Sequence, residues 1–239
     1  MVKLLVIADD FTGALDTGVQ FRAKGTVLRL ITGNRNVFED LDPEAQVLIV
    51  DAETRHLTAR EAGDIVGSIV EDAVQAGVNC IYKKTDSGLR GNIGSELTAV
   101  LKNSGEKYLH FIPAFPAMNR ITKNGVHYID TIPVAQSVFG ADPFEPVRFS
   151  QVSQIIHSQS ETAVVMDRQQ RPEAGIVLHN AQTQQDLARI ASDLKLSGEL
   201  KLIAGCAGFA SVLPELLELE PADNRIPAFV PRLLVIEPI

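Results

Sequence analysis

Long apolar runs are missing from this 239-residue chain, and so are runs of Lys or Arg. No apolar stretch nears the roughly 20 residues needed to cross a bilayer, and the opening MVKLLVIADD carries too short an apolar core for a signal peptide. That reads as a cytoplasmic protein with no membrane partner. The 22 Lys and Arg are outnumbered by 30 Asp and Glu, and the net charge of -8 leaves no basic surface for counterion-releasing contacts to nucleic acid. Cysteine is scarce too. Cys80 and Cys206 stand alone, neither with a second Cys or a His at metal-ligand spacing, and read as buried free thiols. The nucleotide signatures are also lacking: there is no Gly-x-x-x-x-Gly-Lys-Ser/Thr loop, and the turn Gly91-Asn92-Ile93-Gly94 is not a dinucleotide fingerprint.

What is present is enough hydrophobic residue, 45%, to bury a core in one large domain or two small ones. Short apolar runs at 4–8, 27–31, 47–50, 80–82, 108–112, 163–166, 176–178 and 202–204 alternate with helical patterns. Alternation of this kind predicts βα units, hence an α/β fold with a mostly parallel sheet and helices on both faces, Rossmann-like. Thr58 to Glu61 has capping-box spacing, and Ile65, Val66, Ile69, Val70, Ala73 and Val74 repeat at helical period up to Gly77. Further helices are expected after Gly91-Asn92 and from near Thr183 to Gly198. Between 111 and 146, five prolines interrupt any long element, so this stretch reads as an ordered, loop-rich excursion. No firm domain boundary is visible, although Ser150 could divide two lobes of one unit.

Four polar stretches follow strand-like runs, where loops and helix N-termini meet beyond the carboxyl ends of a parallel sheet. The first is Asp9-Asp10-Phe11-Thr12-Gly13. A helix cap accounts for one acid and leaves the other free for chemistry. The second, 51–56, places Arg55 beside acids, either as a solvated loop with a surface ion pair or as a bidentate anion clamp. The third, 83–92, packs Lys84, Asp86, Ser87 and Arg90 between a strand and a helix start, a composition suited to a carboxylate or phosphate. The fourth runs from Pro113 to Arg120, with Asn119 and Arg120 offering hydrogen bonds to an oxygen-rich ligand; His127 behind it reads as structural.

Taken in order, ADDFTGALD, DAETRHL, KKTDSGLRGNIGSEL, PAFPAMNRITKNGVHYID with DPFEP, and GCAGFA resemble the four-carbon acid sugar kinase family, from about Ile7 to Ala210. The resemblance implies that residues 1–239 form a sugar-acid substrate-binding domain, with the family's C-terminal nucleotide-binding domain absent because the chain stops about where it would begin. It implies ATP and Mg2+ as cofactors, with no site for ATP visible here, and threonate, erythronate or 3-oxo-tetronate as substrate. By position, Asp10 and Asp86 are the catalytic candidates, as hydroxyl acceptors or base. Asp9, Thr12, Arg55, Lys84, Ser87, Arg90, Asn119 and Arg120 are the substrate-binding candidates, with Arg55 and Arg90 on the carboxylate. Three positions depart from the family pattern: Gly88 stands for a Thr, Asn180 for an acid and Cys206 for a Ser. A separately supplied nucleotide domain and a homo-oligomer are the partners to expect. The alternative reading is a non-catalytic sugar-acid binding or regulatory module.

Overall fold

The computed structural model describes residues 2–219 except 24, 34–36, 39–43 and 168. The segment 231–239, which the sequence reading set at the boundary of a second domain, lies outside the described residues. In chain order the strands are β1 (Leu4–Ala8), β2 (Leu28–Thr32), β3 (Val47–Asp51), β4 (Ile81–Lys84), β5 (Tyr108–Ile112), β6 (Arg120–Lys123), β7 (Val126–Ile129), β8 (Ile132–Pro133), β9 (Val164–Met166), β10 (Gly175–Leu178) and β11 (Leu202–Gly205). The helices are α1 (Phe11–Arg22), α2 (Ala59–Gln75), α3 (Ile93–Ser104), α4 (Val152–His157), α5 (Gln184–Ser197), α6 (Ala207–Ala210) and α7 (Leu213–Leu216).

Each of the eight apolar runs becomes a strand of one parallel sheet, ordered β2-β3-β1-β4-β11-β5-β10-β9. Every residue of β1, β3, β4, β10 and β11 is buried, as a strand covered on both faces requires. One face packs Val66, Ile69 and Val70 of α2, Leu97 and Val100 of α3 and Ile156 of α4. The other packs Ala14 and Phe21 of α1, Leu187 and Ile190 of α5 and Phe209 of α6. At about 1.5–3 kcal/mol for each fully buried large aliphatic or aromatic side chain, these two layers supply the main driving force for the fold.

The helix boundaries follow the capping chemistry. Thr58 and Glu61 form a reciprocal capping box at the start of α2, and Thr183 and Asp186 form another at α5. Helix α5 ends on Gly198 at φ 74°, a left-handed residue that stops the helix at little steric cost.

Two expectations change. The excursion at 111–146 is not only loop, because β6, β7 and β8 form an antiparallel sheet of their own, tied to the main body by bridges Thr122 to Ala181 and Val126 to Gln151. Ser150 divides no lobes, since β11 returns from beyond it to lie between β4 and β5. Prolines mask the short strands from a periodicity reading, and a crossover cannot be read from local pattern at all.

Strand β1 has β3 and β4 as its two neighbours, with Ala8 in register with Asp51 on one side and Lys84 on the other. Three chain segments therefore leave the sheet side by side, and the first three polar stretches meet there.

Candidate functional site

Asp9 and Asp10 are both used. Asp10 is the N-cap of α1: its Oδ1 accepts the Gly13 N–H at 2.8 Å. Its Oδ2 takes Nη1 of Arg55 at 2.7 Å, while Asp9 Oδ2 takes Arg55 Nε at 2.8 Å. Arg55 is 8% exposed, so the surface ion pair considered for this loop is instead a buried hub. Burial opposes its charge, but Asp9, with Asp86 and Asp10, outweighs burial and holds the guanidinium above its ordinary value. Two buried oxygens nearby, Asp9 Oδ1 and Asp51 Oδ2, have no hydrogen-bond partner among the described residues. Burial, opposed by the Glu53 N–H and aided by Glu53, Asp10 and Asp9, pushes Asp51 up to about 6.

Beneath Arg55 lies a layer that the sequence reading missed. Asn92 donates its amide to the carbonyls of Thr54 at 2.9 Å, Arg55 at 3.4 Å and Leu57 at 2.9 Å, fastening the loop after β3 to the start of α3. Glu96 accepts the Thr54 hydroxyl and pairs with Lys83 Nζ at 3.0 Å, all in the interior. Burial raises the Glu96 carboxyl, with Lys83 opposing. A signal was available: Glu96 shares the apolar face of α3 with Ile93, Leu97 and Val100, and a charge on a buried face needs a buried partner.

The loop after β4 is built around Asp86. Its Oδ2 accepts the N–H groups of Gly88 at 3.1 Å and Arg90 at 3.2 Å, and Arg90 clamps it bidentately through Nε at 2.9 Å and Nη2 at 3.0 Å. Burial pushes Asp86 up, but the Arg90 hydrogen bonds and the Arg55 charge outweigh it and hold the carboxyl at about 2. Arg90 Nη1 reaches Asp142 at 3.1 Å, so each of its three nitrogens meets a carboxylate. Lys84, 4% exposed, donates to the Thr85 carbonyl at 2.8 Å and lies against Gly13 at the start of α1.

Arg120, at the start of β6, has a different environment. Its Nη1 donates to the Ser87 hydroxyl, and its guanidinium carbon lies 5.0 Å from the centre of the Phe139 ring. Among the described residues, it is the guanidinium of this cluster that meets no carboxylate. His127 supports the arrangement from below. Because the Ser87 carbonyl can only accept, Nε2 at 3.0 Å is the donor, and Nδ1 accepts the Thr122 hydroxyl at 3.1 Å. Burial lowers His127 to about 4 and keeps it neutral.

Of the ten candidate residues, Asp9, Asp10, Arg55, Lys84, Asp86, Ser87, Arg90 and Arg120 converge. Thr12 and Asn119 are exposed and outside the hydrogen-bonded cluster; Asn119 instead takes a left-handed turn at φ 53° before β6. Asn180 accepts the Gly125 N–H at 3.0 Å, a bond an acid would make equally well, and Cys206 is a buried free thiol with Sγ 3.3 Å from the Pro113 carbonyl. Asp142 opens the DPFEP motif but was not singled out as a site residue, and Phe139, also inside the proline-rich excursion, carried no local signal.

The groups this sheet edge offers an anionic, hydroxyl-bearing ligand are the Arg120 guanidinium, which meets no carboxylate among the described residues, the Ser87 hydroxyl beside it and the partly exposed Asp10 carboxylate. A model of the "Sugar-binding N-terminal domain" family matches residues 4–213. The chain is 31% identical over 246 residues to a D-threonate kinase of Salmonella typhimurium, covering 96% of this chain and 57% of that one. It is 32% identical over 251 residues to a D-erythronate kinase of Heliobacterium modesticaldum, covering 94% and 55%. A crystal structure from Bordetella bronchiseptica, described as a domain of unknown function with bound citrate and as a domain-swapped dimer, superposes with a TM-score of 0.80 at 30% identity, covering 90% of this chain and 57% of that chain. The chain thus spans a little over half the length of these relatives. With the ordered motifs and the parallel sheet in agreement, this chain belongs to the four-carbon acid sugar kinase family and corresponds to its sugar-binding N-terminal domain.

Proposed function

We infer that this chain recognises the sugar-acid substrate of an ATP-dependent kinase acting on threonate, erythronate or 3-oxo-tetronate. The observation that carries the reading is Arg120, held by Ser87 and Phe139 and without a carboxylate partner among the described residues. A substrate carboxylate supplies the missing counter-charge. Arg55 and Arg90, assigned that task from the family pattern, are bound to Asp9, Asp10, Asp86 and Asp142, and serve instead to hold the loops. Asp86 accepts four hydrogen bonds and sits at about 2, which makes it a poor base. Asp10, 26% exposed, is the better acceptor for a substrate hydroxyl.

Kinase relatives imply ATP and Mg2+. The described residues do not fit the metal: no group of three or more His, Cys, Asp or Glu among them is arranged to hold a cation, and Asp9, Asp10 and Asp86 are paired with arginines. The chain's own contribution is to bind the acid, orient its hydroxyl against Asp10 and keep the loops rigid.

Calorimetric titration with D-threonate, D-erythronate and 3-oxo-tetronate tests this reading. Binding of one of them is expected, weakened by about 1.5–3 kcal/mol in Arg120→Ala as for a lost charge-assisted contact. Absence of binding to all three at millimolar concentration overturns it.

A further inference from the structure

Gly88 has no room for a side chain. A Cβ built there would lie 2.5 Å from Cδ1, 2.6 Å from Cε1 and 2.7 Å from Cγ of Phe139, far inside van der Waals contact. The aromatic ring thus rests directly on the backbone of the loop that carries Asp86 and Ser87. Two guanidinium groups share that ring: Arg90 is 5.1 Å and Arg120 5.0 Å from its centroid, both within range for a cation–π contact.

The two arginines differ in what else holds them. Arg90 is fixed by Asp86 and Asp142 and would keep its place without the ring. Among the described residues, Arg120 has a single side-chain hydrogen bond, to the Ser87 hydroxyl. A guanidinium on a flexible stem held by one neutral hydroxyl retains much of its rotational freedom, and a planar π face removes it without neutralising the charge. A carboxylate in the same place would also hold Arg120, but it would occupy the donors a ligand needs.

We propose that Phe139 is a positioning residue of the ligand site: seated on Gly88, its ring holds the Arg120 guanidinium in place, charged and open to an anionic ligand. The chain connecting β8 to α4 brings this ring to the site, with Phe139 anchored by its N–H on the Ser137 hydroxyl at 3.2 Å and by its carbonyl accepting the Val147 N–H at 3.0 Å. Residue 88 and residue 139 then form a dependent pair, since any side chain at 88 displaces the ring. The role in ligand binding rests on the sugar-acid reading above; the role in holding Arg120 does not.

Three measurements on the full chain test the proposal. In the first, Gly88→Ala lowers the melting temperature of the wild type, and lowers it by less than half as much in a Phe139→Ala background; equal losses in both backgrounds overturn the pairing. Next, the Arg120 side-chain NMR resonances, assigned with R120K, carry a ring-current shift that persists in Phe139→Tyr and disappears in Phe139→Leu. Resonances unchanged in F139L show that the ring does not hold Arg120. Finally, F139L weakens binding of D-threonate or D-erythronate about threefold, the size of a lost exposed cation–π contact, while F139Y stays within a factor of two. Equal affinities in F139L and wild type overturn the positioning role. Should the wild type bind neither acid, the sugar-acid reading fails, and the ring-current and melting measurements still decide whether Phe139 holds Arg120.

Discussion

Asp9 and Arg55 meet at 2.8 Å with both side chains buried, one leaving the end of β1 and the other the loop after β3. This contact joins the segments that leave two neighbouring strands, β1 and β3, and it commits the most buried arginine of the cluster to the protein itself.

Arg55→Met should therefore act on stability first. Removing one partner of a buried pair leaves Asp9 and Asp10 without their counter-charge, and a loss of about 3–5 kcal/mol is expected in urea unfolding. A loss below about 1 kcal/mol would show that Arg55 is not the hub described.

The Lys83 and Glu96 pair offers a cleaner version of the same argument. Both are in the interior, 3.0 Å apart. Lys83→Met alone is expected to cost about 3–5 kcal/mol, and the double variant K83M/E96L to recover most of it, because the second change removes the stranded charge. Additive losses in a double-mutant cycle would contradict the pairing.

Asn92→Ala removes three amide contacts that tie down the loop at 54–57. About 2 kcal/mol of destabilisation is expected, together with faster amide hydrogen exchange confined to that loop. Unchanged exchange there would leave Asn92 without a role in holding Arg55.

The pH dependence turns on Asp51. Burial raises its carboxyl from 3.8 to about 6, so its contribution is fully present below 3.8 and is lost as the pH rises through 6. His110, His127 and His179 act in the opposite direction. Burial holds each near 4, so their contribution is present above 6.5 and is lost as the pH falls from there through about 4. Asp51→Asn should accordingly gain stability above pH 6, by up to about 3 kcal/mol, with the gain vanishing near pH 4. Denaturant midpoints at pH 4, 6 and 8 measure it, and a gain that is the same at all three would refute the assignment to Asp51.

Local pattern sufficed for the elements whose cause is local. The eight apolar runs are all strands of the sheet, the capping box read at Thr58 starts α2, and the helix expected from near Thr183 starts there. Eight of the ten candidate residues also converge, because position after a parallel strand already implies proximity to the sheet's carboxyl edge. The roles of the arginines were less legible. Arg55, Arg90 and Arg120 look alike in sequence, each lying in a polar loop beside hydroxyls or acids.

What the sequence by itself determined is the alternation of strands and helices, the helix ends and the membership of the polar cluster, since these depend on hydrophobic period, capping and order along the chain. Tertiary structure alone decided which arginine meets acids and which meets an aromatic ring. Asp9 reaches Arg55 across 46 residues, and Arg90 reaches Asp142 across 52. Such pairings depend on strand order: β3 and β4 lie on either side of β1, and the excursion after β5 folds back over the loop that follows β4. Charge assignments made across those distances are properties of the packed chain, because only burial and contact determine whether a guanidinium is already neutralised or still open to a ligand.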